Sequence, residues 1–351
     1  MSAQSLPLSD YSNSNKPMAV SFRFLLGLYL FIPVCLLVQL GDQYWFGYRL
    51  RDALPSSPGH FLLFQLLFGT PHIIASSLLL LVHPDYLKVF RKRLLLMTVF
   101  IAIFFGIGSL FIPYTALYVI TACWTVYHVL KQQHGIAKVV CRLPKYAFNL
   151  QVGLSVVGGC FIYLGVFLKN SITPEQALLI LNLSLCFSIA LVLTSLWCLR
   201  FINNAQGFWF LWANTVLVVI SYYFLSQHYY FLAILIPRLV HDISAFSFYV
   251  SHDYNRHQSL TDTHPLYSIA RSFKIPVIVI LPVFSFLLTY CLQAYGDEWI
   301  NMIMRTLFAT EVYKAITLGL FGYLALMHYY TEAFIWAADS PLRRYIVFKY
   351  R

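Results

Sequence analysis

Long apolar runs separated by short polar segments dominate the pattern of this chain. A run of about 20 residues, rising about 1.5 Å per residue as an α-helix, crosses the ~30 Å hydrocarbon core of a bilayer. Reading such runs predicts ten transmembrane helices, with Pro113 dividing one long run into the third and the fourth. Their expected bounds are about 19–40, 60–83, 94–113, 114–134, 147–168, 176–199, 207–226, 229–251, 275–295 and 311–337. The expected fold class is therefore all-α, a polytopic transmembrane helix bundle.

The composition excludes an ordinary soluble protein. Hydrophobic residues make up 60% of the 351 residues and charged residues only 11%, whereas soluble domains carry about 25% charge. The net charge of +11 would by itself suit a nucleic-acid partner, but its distribution along the chain indicates membrane orientation instead. We expect no nucleic acid among the partners of this protein.

The positions of the Lys and Arg residues predict how the chain is oriented. If the N-terminus is cytoplasmic, the ten spans place 18 of the 24 Lys and Arg on the cytoplasmic side, five on the opposite side and Arg238 within the membrane. Such an imbalance follows the positive-inside rule. We therefore expect a cytoplasmic tail over 1–18, a single transmembrane domain over 19–337 and a basic cytoplasmic tail over 338–351. The expected location is a bacterial inner (cytoplasmic) membrane, and the oligomeric state is open.

Several ionisable side chains fall inside the predicted spans, where they are costly and usually mark a functional site. At about 1.5 Å per residue, His72, His241 and His328 lie at a similar expected depth, roughly 15 Å from the cytoplasmic boundary. His128 and Glu332 are expected somewhat closer to that boundary. His328 and Glu332 are four residues apart and share a helix face. The second, fourth, eighth and tenth predicted helices could thus direct imidazoles at one point, which favours a metal or cofactor site.

Simpler explanations compete for the individual residues. A single buried histidine is more often a hydrogen-bonded structural residue than a ligand. The histidines at the predicted boundary with water are His83, His134 and His252. Those expected to be solvated, in loops or at outer ends, are His60, His228, His257 and His264. Arg238 and Asp242 are one turn apart, so they either neutralise each other or act in catalysis, with Arg238 holding an anionic group of the substrate.

The residue types allow three kinds of chemistry. Neutral imidazoles with one or two carboxylates suit iron, zinc or copper, whereas magnesium and calcium prefer oxygen ligands. A buried redox iron would suit a lipid substrate that cannot leave the bilayer, and zinc would indicate hydrolysis. Bis-histidine haem is a second class, although the 11-residue spacing of the histidine pairs on the second and eighth helices is shorter than haem bundles commonly use. Ion-coupled transport is a third class, with a relay formed by Arg238, His241, Asp242 and Glu332.

One short motif resembles a known family. Gly69-x-Pro71-His72 is similar to the Gly-x-Pro-His motif of the membrane-integral β-carotene dioxygenase (Brp/Blh) family, multi-pass proteins whose iron is held by transmembrane histidines. The further isolated helix histidines are His128, His241 and His328. The stretch from His328 to Trp336, His-Tyr-Tyr-x-Glu-x-Phe-Ile-Trp, also resembles uncharacterised bacterial multi-pass proteins. The likeness to the dioxygenase family covers about a tenth of the chain.

The chain also differs from that family. Ser76 stands where the family has an aspartate, four residues after its first histidine, and Gln133 replaces the carboxylate that follows the second. The resemblance therefore implies histidine-bound iron and oxygen chemistry on an apolar substrate, and it does not imply carotene in particular.

The leading hypothesis is a metal-dependent membrane oxidoreductase acting on a membrane lipid, an isoprenoid or another apolar small molecule. Its expected metal ligands are His72, His128, His241, His328 and Glu332, the last as fifth ligand or acid/base. The residues expected to take part in catalysis are Glu332, Arg238 and Asp242. Non-haem iron is the expected cofactor, with zinc or haem as alternatives. An ion-coupled transporter or a haem-binding membrane protein is the alternative function, so the sequence leaves enzyme and transporter both open.

Overall fold

The computed structural model describes residues 16–258, 264–337 and 339–350. It is all-α apart from two short strands, as the sequence predicts. Within the described residues, eight helices are long and apolar enough, by length and composition, to cross a membrane. They are α1 (Phe22–Trp45), α3 (Leu62–Val82), α4 (Pro84–Leu110), α6 (Lys145–Phe167), α7 (Pro174–Phe201), α8 (Ala205–Ser226), α9 (Tyr230–His257) and α11 (Val277–Phe308). Their number and composition make this a membrane protein.

Four further helices complete the described fold: α2 (Arg49–Ala53), α5 (Tyr114–Cys141), α10 (Pro265–Ser272) and α12 (Phe321–Ile335). Helix α5 contains the whole predicted span 114–134, whereas α12 begins ten residues after the expected start of the span 311–337. A π-helical stretch, Ala315–Leu320, precedes α12. The predicted break at Pro113 is confirmed, because this residue caps the start of α5.

Several helices extend beyond the predicted bounds. Helix α4 begins at Pro84, so the basic segment with Lys88 and Arg91 to Arg93 is helical and not a loop. Helix α11 continues to Phe308, 13 residues beyond the expected end at 295, and stops at Ala309, whose φ of 49° is left-handed. Charge marks where a chain meets water, whereas a helix ends only where its backbone hydrogen bonds end, so the two boundaries differ.

The described residues form two compact units, and the single transmembrane domain expected over 19–337 stays a prediction. The His72 unit takes its residues from 1–21, 65–112 and 245–351, and the His128 unit from 22–64 and 113–244. In the His72 unit, α3 packs against α11 and α12. Its core is a cluster of buried side chains: Ala75, Leu79, Leu80, Tyr86, Phe90, Ala245, Tyr249, Leu281, Ile335 and Leu342.

Described residues at or beside both predicted tails take part in the His72 unit. Strand β1 (Ala19–Ser21) pairs in parallel with strand β2 (Val347–Lys349). The Asn255 side chain accepts from the amide of Met18 at 2.7 Å and donates to the carbonyl of Tyr345 at 2.8 Å. One asparagine of α9 therefore joins the backbone at Met18 to the backbone at Tyr345.

The His128 unit is a bundle in which α6 packs against α5, α7 and α8. Gly159 of α6 allows the closest approach, because a Cβ there would lie 2.8 Å from both Leu130 Cδ1 and Val126 Cγ1 of α5. Helix α7, by contrast, has an exposed apolar face that includes Leu178, Leu193 and other large side chains. Apolar surface of this extent suits contact with lipid tails.

Candidate metal centre

In the His72 unit, His72 follows a distorted turn of α3. The residues Gln65–Gly69 are π-helical, and Pro71 then lacks the amide hydrogen that would continue the normal ladder. His72 is 2% exposed, and its Nδ1 lies 2.9 Å from the carbonyl oxygen of Phe68. Because a carbonyl can only accept, Nδ1 carries the proton and Nε2 carries the lone pair. This is the tautomer of a histidine that binds metal through Nε2.

His328 of α12 has its tautomer set in the same way. Its Nδ1 lies 3.0 Å from the Ser76 hydroxyl and 3.4 Å from the Tyr249 hydroxyl. Ser76 donates its own hydrogen to the carbonyl of Ile73 at 2.9 Å, and Tyr249 donates its hydrogen to Glu332. Both oxygens therefore accept from His328, which places the proton on Nδ1 and the lone pair on Nε2.

The two imidazoles meet inside the His72 unit. The ring centroids of His72 and His328 are 4.9 Å apart, at an interplanar angle of 75°. Both side chains are almost fully buried, His328 at 1% exposure. Two of the four predicted histidine ligands thus converge from different helices, with the same tautomer.

Glu332 lies one turn after His328 and is also buried. Its Oε1 accepts from the Tyr249 hydroxyl and from Trp336 Nε1, the latter at 3.1 Å. These donors stabilise a carboxylate in an apolar setting and fix its orientation. The sequence reasoning missed Ser76, Tyr249 and Trp336 as supporting residues. Trp336 had a visible signal, since it follows Glu332 by four residues and so shares its helix face, and Ser76 had one as the residue four positions after His72.

The other two predicted histidine ligands meet inside the His128 unit. The ring centroids of His128 on α5 and His241 on α9 are 4.7 Å apart, at an interplanar angle of 78°. Both residues are buried. Pro237 lies one turn before His241 inside α9 and removes one backbone hydrogen bond there. The spatial pairing of these two histidines was not readable from their separation along the chain.

Arg238 and Asp242 form the pair that their spacing predicts. Arg238 Nε lies 3.7 Å from Asp242 Oδ1, and His241 Nε2 lies 3.9 Å from the same oxygen. The Asp242 side chain is fully buried, so the nearby guanidinium offsets a charge that would otherwise be costly there. This ion pair is consistent with mutual neutralisation, and a catalytic role for either residue stays a prediction.

Among the remaining histidines, His257 and His264 are less exposed than their expected loop positions suggest. His257 is buried, and its Nε2 lies 3.3 Å from His83 Nε2, so the expectation that His257 is solvated is wrong. His264 is half-buried and lies near the same pair of rings. The error at His257 arises because α9 continues to this residue, beyond the predicted end at 251, and carries it into the packed interior. His60 and His228 are exposed, as expected.

Three histidines at predicted boundaries are also buried. His134 bonds to the Ser155 hydroxyl at 2.8 Å, and His252 to the Tyr86 hydroxyl at 2.9 Å, so hydrogen bonds account for both. His83 lies between α3 and α4 with an extended backbone, so it does not continue the helix face of His72. Burial, together with the Arg256 guanidinium, lowers the pKa of His83 to about 3 and keeps its ring neutral at pH 7.

Comparison with known proteins identifies no relative of this chain. No protein-family model matches the chain, and no curated protein and no solved structure is detectably similar to it. The resemblance to the membrane-integral β-carotene dioxygenase family therefore stays a prediction based on a few residues. A functional assignment has to be argued from the buried histidines and their hydrogen-bond partners.

Proposed function

We propose that this protein is a membrane-embedded metalloenzyme, a non-haem iron oxidoreductase that acts on a lipid or isoprenoid substrate. One observation carries the proposal: His72 and His328 are buried side by side, and each is held with its lone pair on Nε2. Hydrogen bonding of Nδ1 to a carbonyl or hydroxyl is the usual support of a metal-ligating histidine. Two such imidazoles beside a buried carboxylate suit a transition metal better than magnesium or calcium.

The ligands proposed are those of the sequence hypothesis. His72 and His328 supply one pair, His128 and His241 supply another, and Glu332 serves as a further ligand or as the acid/base. Bound iron would supply oxygen chemistry, and the protein residues would hold the ligands in one tautomer and keep water away. Tyr249 and Trp336 would fix the Glu332 carboxylate during proton transfer.

A lipid or isoprenoid is proposed as substrate because the candidate ligands lie in apolar helices. A substrate that stays in the bilayer can approach such residues without crossing water. In this role Arg238 would meet an anionic headgroup, and Asp242 would offset the guanidinium charge until that group arrives. Zinc or haem at the same histidines would be the alternative cofactors.

Metal analysis tests the proposal. Protein purified in detergent should contain stoichiometric iron and show no Soret band, because the iron is not held in haem. His72→Ala and His328→Ala should each remove most of the iron, and so should His128→Ala and His241→Ala. His60→Ala is the matched control, since His60 is exposed, and its iron content should equal that of the wild type. If the wild-type protein binds no iron even after incubation with Fe²⁺, the proposal is refuted.

An ion-coupled transporter is the second candidate. It is favoured by the buried Arg238–Asp242 pair with His241 beside it, since such groups inside a membrane can relay protons. Asp242→Asn would separate the two functions. If Asp242 is part of a proton relay, the wild type takes up substrate into proteoliposomes with protons, and Asp242→Asn abolishes this uptake while iron content stays unchanged. If the protein is an enzyme, even the wild type shows no proton-coupled uptake.

We also propose ten spans with both termini in the cytoplasm of a bacterial inner membrane. The distribution of Lys and Arg supports this orientation, and α5 and α12 would be the two spans beyond the eight described above. Reporter fusions after Lys145 and Asn170 flank α6 and should report opposite sides of the membrane. If both report the same side, the ten-span topology is wrong.

A further inference from the structure

Three ligand-type side chains converge at a second place in the His72 unit. His83 lies between α3 and α4, whereas Asp253 and His257 lie four residues apart near the end of α9. Each offers one ligand atom, and these atoms all lie within 4.8 Å of one another. All three residues are 2% exposed. None of the three is among the predicted metal ligands, such as His72 and His328.

The spacing of the two ring nitrogens matches a tetrahedral metal site. Zinc binds histidine nitrogen at about 2.0–2.1 Å, so two nitrogens of a tetrahedral site lie about 3.3–3.4 Å apart. His83 Nε2 and His257 Nε2 are 3.3 Å apart. A hydrogen bond between the rings would give a similar distance, so metal binding has to be measured directly.

The surroundings supply the supports that such ligands need. Tyr267 of α10 donates its hydroxyl hydrogen to Asp253 Oδ1, and its ring stacks on His257 with centroids 3.6 Å apart and an angle of 7°. One tyrosine therefore orients both the carboxylate and an imidazole, as outer residues of metal sites do. Arg256 lies nearby, but Asp85 offsets its charge through two hydrogen bonds of 2.9 and 3.1 Å.

A cavity adjoins this group of residues. It has a volume of about 220 Å³ and is lined by His83, Asp253 and Tyr267, together with apolar side chains of α3, α10 and α11. Three protein ligands and one open position facing a cavity are the arrangement of catalytic zinc sites, whereas structural sites are closed by four protein ligands.

We infer that His83, Asp253 and His257 form a zinc site whose fourth position opens into this cavity. Ligation by two histidines and one carboxylate is a known zinc donor set. The inference does not depend on the proposed iron centre, because it uses other residues and other geometry. The open position would hold water or a polar group of a mostly apolar ligand occupying the cavity.

Titration with Co²⁺ tests the zinc site, because cobalt reports its coordination number by the intensity of its visible bands. The full-length protein carrying His72→Gln and His328→Gln should bind one Co²⁺ per chain with a four-coordinate spectrum, and Zn²⁺ should displace it. Adding Asp253→Asn or His257→Gln should weaken Co²⁺ binding by at least about 100-fold. Tyr267→Phe keeps the stacked ring and should weaken binding about 10- to 100-fold.

His228→Gln serves as control, since His228 is exposed and its loss should not change Co²⁺ affinity. If the protein carrying both His72→Gln and His328→Gln does not fold, Asp253→Asn can be introduced into the wild type instead. The variant should then bind one Co²⁺ per chain fewer than the wild type. Equal Co²⁺ affinity with and without Asp253→Asn and His257→Gln would overturn the inference and leave His83 and His257 joined by a hydrogen bond alone. Iron content in these variants is a separate measurement, so failure of the zinc site and failure of the iron proposal can be told apart.

Discussion

The hydrogen bond from Tyr249 to Glu332 offers a quantitative test of how the buried carboxylate is held. Tyr249 is fully buried, and its hydroxyl donates to Glu332 while accepting from His328. Tyr249→Phe removes only the hydroxyl. A hydrogen bond to a charged group contributes about 1.5–3 kcal/mol, so we expect the free energy of unfolding to fall by about that amount.

A double-mutant cycle isolates the pair. Glu332→Met keeps a side chain of similar length but removes the strong acceptor, so Tyr249→Phe should cost less than about 1 kcal/mol in that background. The coupling energy expected between the two residues is therefore about 1–2 kcal/mol. Unfolding would be followed by tryptophan fluorescence in mixed micelles of increasing SDS content, where the helical protein unfolds reversibly.

Tyr323→Phe is the matched control, and Tyr323 lies on α12 together with Glu332. The Tyr323 hydroxyl bonds to the neutral Thr98 hydroxyl at 2.7 Å and is only half-buried, so its loss should cost about 0.5–1.5 kcal/mol. A coupling energy below about 0.5 kcal/mol between Tyr249 and Glu332 would refute the reasoning, because the carboxylate would then be stabilised by other groups.

Three further expectations concern packing, surface charge and metal. Gly159→Ala should destabilise the protein by about 1–3 kcal/mol, because the new Cβ would lie 2.8 Å from two side chains; Gly153→Ala in the same helix meets nothing within 4 Å and should not destabilise it. Asp85→Asn should change the unfolding free energy by less than about 1 kcal/mol, and less still at high salt, because the Asp85 side chain is 56% exposed. For the proposed iron site, an iron-selective chelator should lower the melting temperature reversibly, whereas His328→Ala should melt at one temperature with or without this chelator.

Much of the architecture is readable from local sequence. Long apolar runs predict helices because a backbone in hydrocarbon must satisfy its hydrogen bonds within the segment. The same logic locates Pro113 between two helices and brings His328 and Glu332 onto one face. Helix ends were less predictable, since α4 and α11 continue through charged residues while their backbone ladders last.

The candidate sites depend on tertiary packing to different degrees. Rare ionisable residues in apolar runs, such as His72 and Glu332, stand out in the sequence because burying them is costly. Their supports do not stand out, because Ser76 and Tyr249 are ordinary residues whose role follows only from which helix faces them. His257 was misjudged for a different reason, because α9 continues past its predicted end at 251.

The helices, the apolar surface and the set of costly residues can all be predicted from short stretches of chain, because each follows from local transfer free energies. The meeting of His72 with His328, and of His83 with His257 across 174 positions of sequence, follows only from how the helices pack. Such pairings depend on how each helix is rotated about its axis and which neighbour it packs against, and no local pattern encodes that rotation.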